Sequence, residues 1–436
     1  MTRNAMQLTV SAVLVGMTLS TAASAGAALL TQDQKQAQAQ ALSLKDEAAL
    51  EAARLAAIKR YQAAPPAQLA DGRATLNAAV NELVFGTLLA LTNDPAHPHV
   101  IWVQTPPYEI VGYQLAGARY GGDDPDRIYR VIAVDPTARY EIHGRRLPGA
   151  SLDFSFEAIS APALAGKATA ALQAKNIDVA ADGTFVVIAD AAPGSDRNHL
   201  QLPPGTTNIL VRDTLENWSL QLPNELSVQR LDHGELQVPS HDSLVQRATV
   251  EVQKSVEESL KFIAGVWKNP PNHLFPVVRR LADGVQGGVV AVNRFHLKSD
   301  EALLIKLDPL GAKYVGIEVT DPWLRSADYA RRSTSLNDSQ AELDADGHLT
   351  YVLSNQDPGI QNWLDAGALH DGFLLVRWEG FAGAAQADKV VREVRVVKLS
   401  TLAAALPAGI TNIDPTRRQQ WLQERSKAFE RRLVQE

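Results

Sequence analysis

Two short stretches that read almost alike decide the fold. Residues 181–185 are Ala-Asp-Gly-Thr-Phe, and residues 345–349 are Ala-Asp-Gly-His-Leu. An Asp-Gly pair between apolar runs is a strong signal for a β-hairpin, because the tight turn needs residues that accept positive φ. Both stretches therefore predict a hairpin, and their likeness suggests that one β unit occurs twice.

An Asp-Pro pair precedes each hairpin and gives a further landmark. Residues 134–140 read Val-Asp-Pro-Thr-Ala-Arg-Tyr, and residues 307–314 read Leu-Asp-Pro-Leu-Gly-Ala-Lys-Tyr. Proline fixes φ and aspartate bonds the following backbone, so each pair predicts a tight turn between two strands. We expect Tyr140 and Tyr314 to open equivalent strands of the two copies.

The spacing after each hairpin supports the repeat. An asparagine stands 16 residues beyond each turn aspartate, at Asn198 and at Asn362. A Leu-Val-Arg run follows and ends at Arg212 in the first region and at Arg377 in the second. Four landmarks in one order predict an internal duplication. The alternative is coincidental similarity between two β-rich regions.

The paired arginines allow two interpretations. Each aliphatic stem can cover a sheet while the guanidinium reaches water, or the guanidinium can be a fixed donor for an anion. We favour sheet cover, because long cationic side chains commonly lie along apolar surfaces.

The distribution of apolar, turn-forming and polar residues along the chain predicts its other elements. Short apolar runs between Gly, Pro and Asp clusters are typical of sandwiches, and helical spacing appears before, between and after the two β regions. The sequence predicts a mainly β chain with flanking α-helices and two tandem related β-sandwich domains. The predicted segments are 1–25 (signal peptide), 26–95 (helical N-terminal segment), 96–240 (first sandwich), 241–283 (helical connector), 284–405 (second sandwich) and 406–436 (C-terminal helix).

The first residues predict export. A positive start at Arg3 precedes an apolar run from Leu8 to Leu19, and Ala23-Ser24-Ala25 has the small residues that signal peptidase recognises. We expect cleavage after Ala25 and a periplasmic or secreted protein. An uncleaved anchor is the weaker alternative, because the run is too short to span a bilayer. No later segment is long and apolar enough to predict a membrane span.

Composition excludes several classes of function. The chain has no cysteine, which excludes disulfides, thiol nucleophiles and cysteine-ligated metals. The formal net charge is −7, and without a basic run the sequence predicts no nucleic-acid partner.

The second half carries a distinctive order of motifs. Asp321-Pro322-Trp323 and Ser335-Leu336-Asn337 precede Asp357-Pro358-Gly359, which is followed by Asn362-Trp363-Leu364-Asp365 and Arg377-Trp378. This half resembles the bacterial proteins of domain-of-unknown-function family 1214, closely over roughly residues 285–400 and weakly over 100–232. The resemblance implies a jelly-roll-like sandwich but no secure activity. We find no clear copy of the companion domain 1254. Family members often have Gly or His where this chain has Ala366, which puts a polar role for that turn in doubt.

Catalytic and metal motifs are weak. There is no nucleophile elbow, phosphate loop or zinc-binding helix. His97-Pro98-His99 offers two imidazoles and residues 344–347 imitate the start of a calcium loop, but both lack supporting ligands. We therefore predict no metal and no cofactor. A triad or a carboxylate pair assembled from distant segments stays open, because only geometry identifies it.

One region concentrates aromatic and polar side chains. Rings can stack on a sugar or an aromatic acid while polar groups orient it. The predicted ligand-binding residues are Trp323, Tyr329, Asn337, Asn362, Trp363 and Trp378. The alternative is that the tryptophans fill the sandwich core and Asn362 caps a turn.

Three functions follow. The favoured one is an exported binding protein for a glycan-like or small carboxylate or aromatic ligand, with the junction of the two halves as a further place for the site. The second is a metal-independent hydrolase or lyase, in which Asp328 or Asp365 is the general base and Arg325 or Arg377 stabilises negative charge. The third is a structural or envelope-stress protein that forms a homo-oligomer through its N-terminal helix.

Overall fold

The computed structural model describes residues 29–161, 166–194, 197–232, 240–280 and 286–434. The predicted signal peptide and its cleavage point lie outside the described residues. The α-helices are α1 (Gln32–Lys45), α2 (Ala48–Gln62), α3 (Ala70–Leu91), α4 (His241–Trp267), α5 (Leu402–Ala405) and α6 (Pro415–Glu430).

Strands fill the two regions between these helices. The first region holds β1 (Ile101–Val103), β2 (Tyr108–Ile110), β3 (Tyr113–Leu115), β4 (Arg127–Ala133), β5 (Tyr140–Arg145), β6 (Asp153–Ser160), β7 (Ala168–Gln173), β8 (Thr184–Asp190), β9 (His199–Gln201), β10 (Thr206–Thr214) and β11 (Glu225–Arg230). The second region holds β12 (Val277–Arg280), β13 (Gln286–His296), β14 (Glu301–Leu307), β15 (Tyr314–Thr320), β16 (Ser335–Asn337), β17 (Leu349–Ser354), β18 (Trp363–Asp365), β19 (Asp371–Glu379) and β20 (Val391–Lys398).

Each region is a sandwich of a five-stranded and a four-stranded sheet, and the strand order is the same in both. The five-stranded sheets run β1-β4-β10-β6-β7 and β12-β13-β19-β15-β16, and the four-stranded sheets run β11-β5-β8-β9 and β20-β14-β17-β18. Even the parallel pair at one edge is repeated, as β8 with β9 and β17 with β18. The predicted fold class is confirmed.

The turn asparagines show how closely the two copies correspond. Asn198 accepts a hydrogen bond from the Asp178 amide and donates to the Val186 carbonyl. Asn362 accepts from the Glu342 amide and donates to the Thr350 carbonyl. The partners stand at equivalent positions, so this amide has one structural role in both sandwiches.

The predicted equivalence of the strands that Tyr140 and Tyr314 open is wrong. Tyr140 opens β5 in a four-stranded sheet, whereas Tyr314 opens β15 in a five-stranded sheet. The strand equivalent to β15 is β6. Both aspartates make the expected turn, in which a carboxylate oxygen accepts from the backbone two residues on, at Thr137 and at Leu310. Such turns can join any pair of strands, so the motif does not show which strands of the two copies correspond.

The two five-stranded sheets turn their outer faces toward the helices. In β10, Ile209 and Val211 enter the core of the first sandwich, while Leu210 belongs to the core formed with α1 to α4. In β19, Val376 enters the second core and Leu375 joins the helical one. Because side chains alternate along a strand, Arg212 and Arg377 must also leave by the outer face.

The second half of helix α3 is buried on all sides among other elements and is almost entirely apolar, whereas its first half exposes Arg73, Asn77 and Asn81. By length and composition it could cross a membrane, but 67% of its most apolar window is buried inside the protein. Its Leu83, Val84 and Leu88 are at most 1% exposed. An all-round apolar segment of this kind is typical of a protein core.

The helix that was predicted as a connector belongs to the helical core. Helix α4 contributes Val252, Val256 and Ile263 to the same core as α2 and α3. The second sandwich also starts earlier than predicted, because β12 at Val277–Arg280 pairs with β13.

The C-terminal helix docks through arginines as well as through its predicted apolar face. Phe429 and Leu433 are fully buried, whereas Leu422 is only half-buried. Arg425 and Arg432 lie over the ring of Trp218, each 4.1 Å from its centroid. Burial lowers the pKa of Arg425 to about 9 and that of Arg432 to about 10, in keeping with guanidinium groups withdrawn from water.

Candidate active cleft between the sandwiches

Two adjoining cavities lie between the sandwiches. The larger, here called the cleft, has a volume of about 480 Å³ and the smaller, the polar chamber, about 280 Å³. Arg127, Arg212 and Arg279 line both of them. These three side chains therefore form the wall between the cleft and the chamber.

The duplication places one ion pair on each side of the cleft. Leu210 is paired across the sheet with Glu157, and Leu375 is paired with Glu318. Arg212 donates to the Glu157 carboxylate. In the second copy Arg377 donates to Glu318 at 2.6 Å. Sheet cover, the favoured role of these arginines, is therefore wrong, because both guanidinium groups are engaged in ion pairs at the junction.

A further pair crosses from one sandwich to the other. Arg127, at the start of β4, donates to the carboxylate of Glu379 at the end of β19. The buried carboxylate of Asp124 lies 3.3 Å from Arg127 and 3.4 Å from Arg377. Charges of opposite sign thus hold the two sandwiches together around the cleft.

Arg279 is the least well compensated of these arginines. It lies in β12, where the pairing with β13 shifts between Val278 and Arg280, and such a bulge re-aims a side chain. Its nearest carboxylate oxygen is Oε1 of Glu157 at 3.6 Å, and that oxygen already accepts from Arg212. Burial lowers the pKa of Arg279, and the neighbouring Arg212 and Arg127 lower it further.

Most of the other side chains that line the cleft are apolar, with Gln104 and Asn269 as polar exceptions. The apolar side chains come from α4, from the segment around β12 and from the two five-stranded sheets. They include Phe262, Val266, Phe275, Val277, Val290 and Leu375. Among the described residues that line the cleft, none is Asp or Glu. The carboxylates Asp153, Glu157 and Glu379 line the polar chamber instead.

Outside the lining of the cleft, two buried carboxylates connect the sandwiches at a second place. Asp126 accepts from the Tyr314 hydroxyl at 2.8 Å, from Trp218 Nε1 at 2.7 Å and from Asn337 Nδ2 at 2.9 Å. Asp123 accepts from the Ser326 hydroxyl at 2.6 Å. Burial raises the pKa of Asp123 and of Asp126 to about 6.

These raised values give an expected pH dependence. A carboxyl whose folded pKa lies above its unfolded value holds its proton more tightly in the folded state. The stability it contributes is present below about pH 4 and is lost as the pH rises through 6. Asp123→Asn mimics the protonated form at every pH. The difference in the free energy of unfolding between the variant and the wild type should therefore shift in favour of the variant by up to about 3 kcal/mol when the pH is raised from 4 to 7. Urea titrations at both pH values measure this shift, with Asp388→Asn at an exposed position as the control. An equal difference at both pH values would contradict the assignment.

Comparison with known proteins gives a fold relative. The chain is similar to a solved structure of an uncharacterised protein from Burkholderia cenocepacia, with 26% sequence identity and a TM-score of 0.67. The match covers 85% of this chain and 100% of that one. A Vibrio parahaemolyticus structure matches with 11% identity and a TM-score of 0.41, over 73% of this chain and 98% of the other. No protein-family model and no curated protein matches the chain.

The predicted tryptophans are buried supports. Trp378 is fully buried in the core of the second sandwich and donates to the Asp308 carbonyl. Trp363 donates to the Ser354 carbonyl, and Trp323 donates to the Gly72 carbonyl of α3. None of the three lines the cleft or the polar chamber. All three are buried and bonded within the protein, which favours the structural alternative for them.

The other predicted ligand residues are also satisfied internally. Asn362 caps a turn, and Asn337 bonds Asp126. Tyr329 is 4% exposed and packs edge-on against Trp218 and Phe429. These side chains have no free surface to offer a ligand, so the structure supports the structural alternative for them.

The four predicted catalytic residues do not converge. Arg325 and Asp328 line a separate cavity of about 300 Å³. There Arg325 donates a hydrogen bond to the Asp321 carboxylate at 2.9 Å, and the Asp328 carboxylate lies 3.4 Å from the Arg331 guanidinium. Asp365 accepts two hydrogen bonds from Arg332, from Nε and from Nη2, each at 2.7 Å. Arg377 alone reaches the cleft between the sandwiches. A hydrolase or lyase built on all four is not supported by this geometry.

The two stretches rejected above as metal sites, His97-Pro98-His99 and residues 344–347, show no ligand cluster. Among the described residues, no group of three or more His, Asp or Glu side chains is arranged to hold a metal ion. His97 and His99 are exposed and lie beside different aspartates, Asp94 and Asp33.

Several residues of the cleft escaped the sequence analysis. Arg127, Tyr129 and Arg279 come from β4 and β12 and share no motif. Glu157 and Glu318 carried a usable signal, because each is an acid between apolar residues of its strand and stands at the same register to a Leu-Val-Arg run.

Proposed function

We propose that the chain is an exported binding protein for a small anionic ligand, with a carboxylate as the first candidate, and that the ligand occupies the cleft between the sandwiches. The observation that carries this proposal is the lining of the cleft, which holds Arg127, Arg212, Arg279 and Arg377 and no acid among its described residues. A cavity of about 480 Å³ lies within the range of small-molecule sites.

Charge and composition favour an anion over a glycan. A sugar needs many donors and acceptors, whereas most of the lining away from the arginines is aliphatic or aromatic. Arg279 shares its nearest carboxylate with Arg212, so an incoming anion would relieve a shortage of negative charge. Planar guanidinium groups also match the geometry of a carboxylate.

The resemblance to family 1214 extends this proposal to its relatives. The pair of Glu318 on β15 and Arg377 on β19 lies in the stretch that most resembles the family. The same cleft would then be the place to search for ligands in those proteins.

We expect Arg279→Met to weaken acid binding at least tenfold, because a charge-assisted hydrogen bond contributes about 1.5–3 kcal/mol. Titration calorimetry of the purified protein with benzoate and octanoate measures this. The neutral amides of the same acids should bind weakly and equally to both proteins. Methionine keeps the apolar stem of the side chain and removes the guanidinium group, with its charge and its hydrogen-bond donors.

Arg139→Met provides the matched control, because Arg139 is 57% exposed on the first sandwich and lies away from the cleft. Its affinity for octanoate should equal that of the wild type. The proposal fails if no acid binds, or if Arg279→Met binds acids as tightly as the wild type.

A further inference from the structure

We infer that the ligand is an amphipathic acid with a single head group, whose carboxylate rests on Arg279 and Arg212 while its apolar body lies toward the second sandwich. This inference rests on the proposed function and specifies its ligand class and orientation.

The arginines of the cleft differ in how fully they are neutralised. Arg377 donates to Glu318 at 2.6 Å and to the Gly122 carbonyl at 2.7 Å, with Asp124 at 3.4 Å. Every nitrogen of its guanidinium therefore faces an acceptor of the protein. Although Arg377 lines the cleft, it has little capacity left for a ligand.

The part of the cleft where Arg212 of the first sandwich meets Arg279 of the second has the opposite balance. One oxygen, Oε1 of Glu157, serves both Arg212 and Arg279, and the second of these lies at 3.6 Å, beyond hydrogen-bonding range. Two guanidinium groups thus share one carboxylate. A ligand carboxylate placed there would supply the missing acceptor, and one head group is sufficient.

The backbone places an apolar surface next to this head site. Val277 and Arg279 both line the cleft on β12, and Val277 is paired with Val290 of β13. Phe262 and Phe275 stand at the same cavity and are 47% and 44% exposed. Large apolar side chains left open to water around a pocket mark a binding surface. An alkyl or aryl body would cover them.

The apolar wall of the cleft disfavours a second acidic group. A ligand whose first acid rests on Arg279 and Arg212 would place an acid at its far end against the valines and phenylalanines, where the charge would lose its hydration. The polar chamber beyond the arginine wall carries charges of both signs, Asp153, Glu157 and Glu379 together with Lys175, so the preference for a monoacid rests on the apolar wall.

The experiment is a calorimetric series of acetate, butyrate, hexanoate, octanoate and decanoate with the purified protein, and octanedioate as the diacid. Burial of each methylene should tighten binding about two- to fourfold. Octanedioate should bind at least tenfold more weakly than octanoate. Phosphatidylglycerol vesicles test a lipid head group as the source of the anion, and we expect no co-sedimentation.

Phe262→Ser probes the apolar wall, and Val250→Ser on the same helix is its matched control. Both side chains are large, apolar and exposed, at 47% and 43%, so both variants should fold. Phe262→Ser should weaken octanoate binding about five- to tenfold and leave acetate binding unchanged, since one aromatic contact is lost. Val250→Ser should change neither.

The outcomes separate this inference from the proposed function. Acids that bind with affinities independent of chain length, a diacid as tight as octanoate, or vesicle binding that octanoate does not displace would each overturn the amphipathic monoacid. In the first two cases the anion site itself would stand. Failure of every acid to bind would overturn the proposed function.

Discussion

Arg377→Met should lower the free energy of unfolding by about 3–5 kcal/mol, because it leaves buried carboxylates without their counter-charge. Glu318 is 2% exposed and Asp124 is 4% exposed, and Arg377 contacts both. Urea denaturation followed by circular dichroism measures the loss. Burial already raises the pKa of Glu318, and Arg377 opposes that effect. The loss should therefore shrink as the pH is lowered, because Glu318 then takes up a proton.

The duplication supplies an internal control for this change. Arg212 is the equivalent of Arg377, but its partner Glu157 also lies within 3.6 Å of Arg279. Arg212→Met should therefore cost only about 1–2 kcal/mol. A double variant, Arg377→Met with Glu318→Gln, should recover part of the loss. Equal losses at Arg212 and Arg377 would mean that the two ion pairs do not differ in the way the geometry indicates.

Trp323→Ala should also lower the free energy of unfolding by about 3–5 kcal/mol, as for other large aromatic side chains removed from a core. Its ring is 1% exposed and lies 4.8 Å from the ring of Tyr61, and its Nε1 donates to Gly72 at 2.8 Å. Trp323 thus joins the second sandwich to the N-terminal helices. Urea denaturation measures the loss. Trp323→Phe should retain about half of the stability that Trp323→Ala loses.

Ligand binding decides between the structural and the functional role of Trp323. At a temperature where Trp323→Ala remains folded, its octanoate affinity should match the wild type, because Trp323 does not line the cleft. Loss of octanoate binding in that folded variant would restore the ligand role that the sequence predicted for this residue.

Local chemistry explains which parts of the fold were predictable. The Asp-Gly turns and the asparagine caps are determined by a few neighbouring residues, so Asn198 and Asn362 indicated the repeat correctly. The Asp-Pro turns at Asp135 and Asp308 are equally local, yet they join different pairs of strands. Turn chemistry identifies a turn but does not identify the strands that it joins.

The candidate site was harder to predict because it is assembled from distant segments. Arg127 and Glu379 lie far apart in the sequence and meet only when the two sandwiches face each other. The tryptophans of the second half drew attention as ligand contacts, but a large ring inside a sandwich commonly serves the core, as Trp378 does. Composition identifies aromatic and charged residues, but only topology shows which of them face a cavity.

The backbone amides of Leu29 and Leu30 donate to the carbonyl groups of Arg432 and Leu433. These partners stand at opposite ends of the described chain, so they can meet only after the final helix has left the ribosome. The first sandwich, synthesised earlier, can form before that helix arrives. We therefore expect the last event of folding to be a closure in which the residues that follow α6 pair with those that precede α1, and a chain truncated before α6 should remain open at this seam.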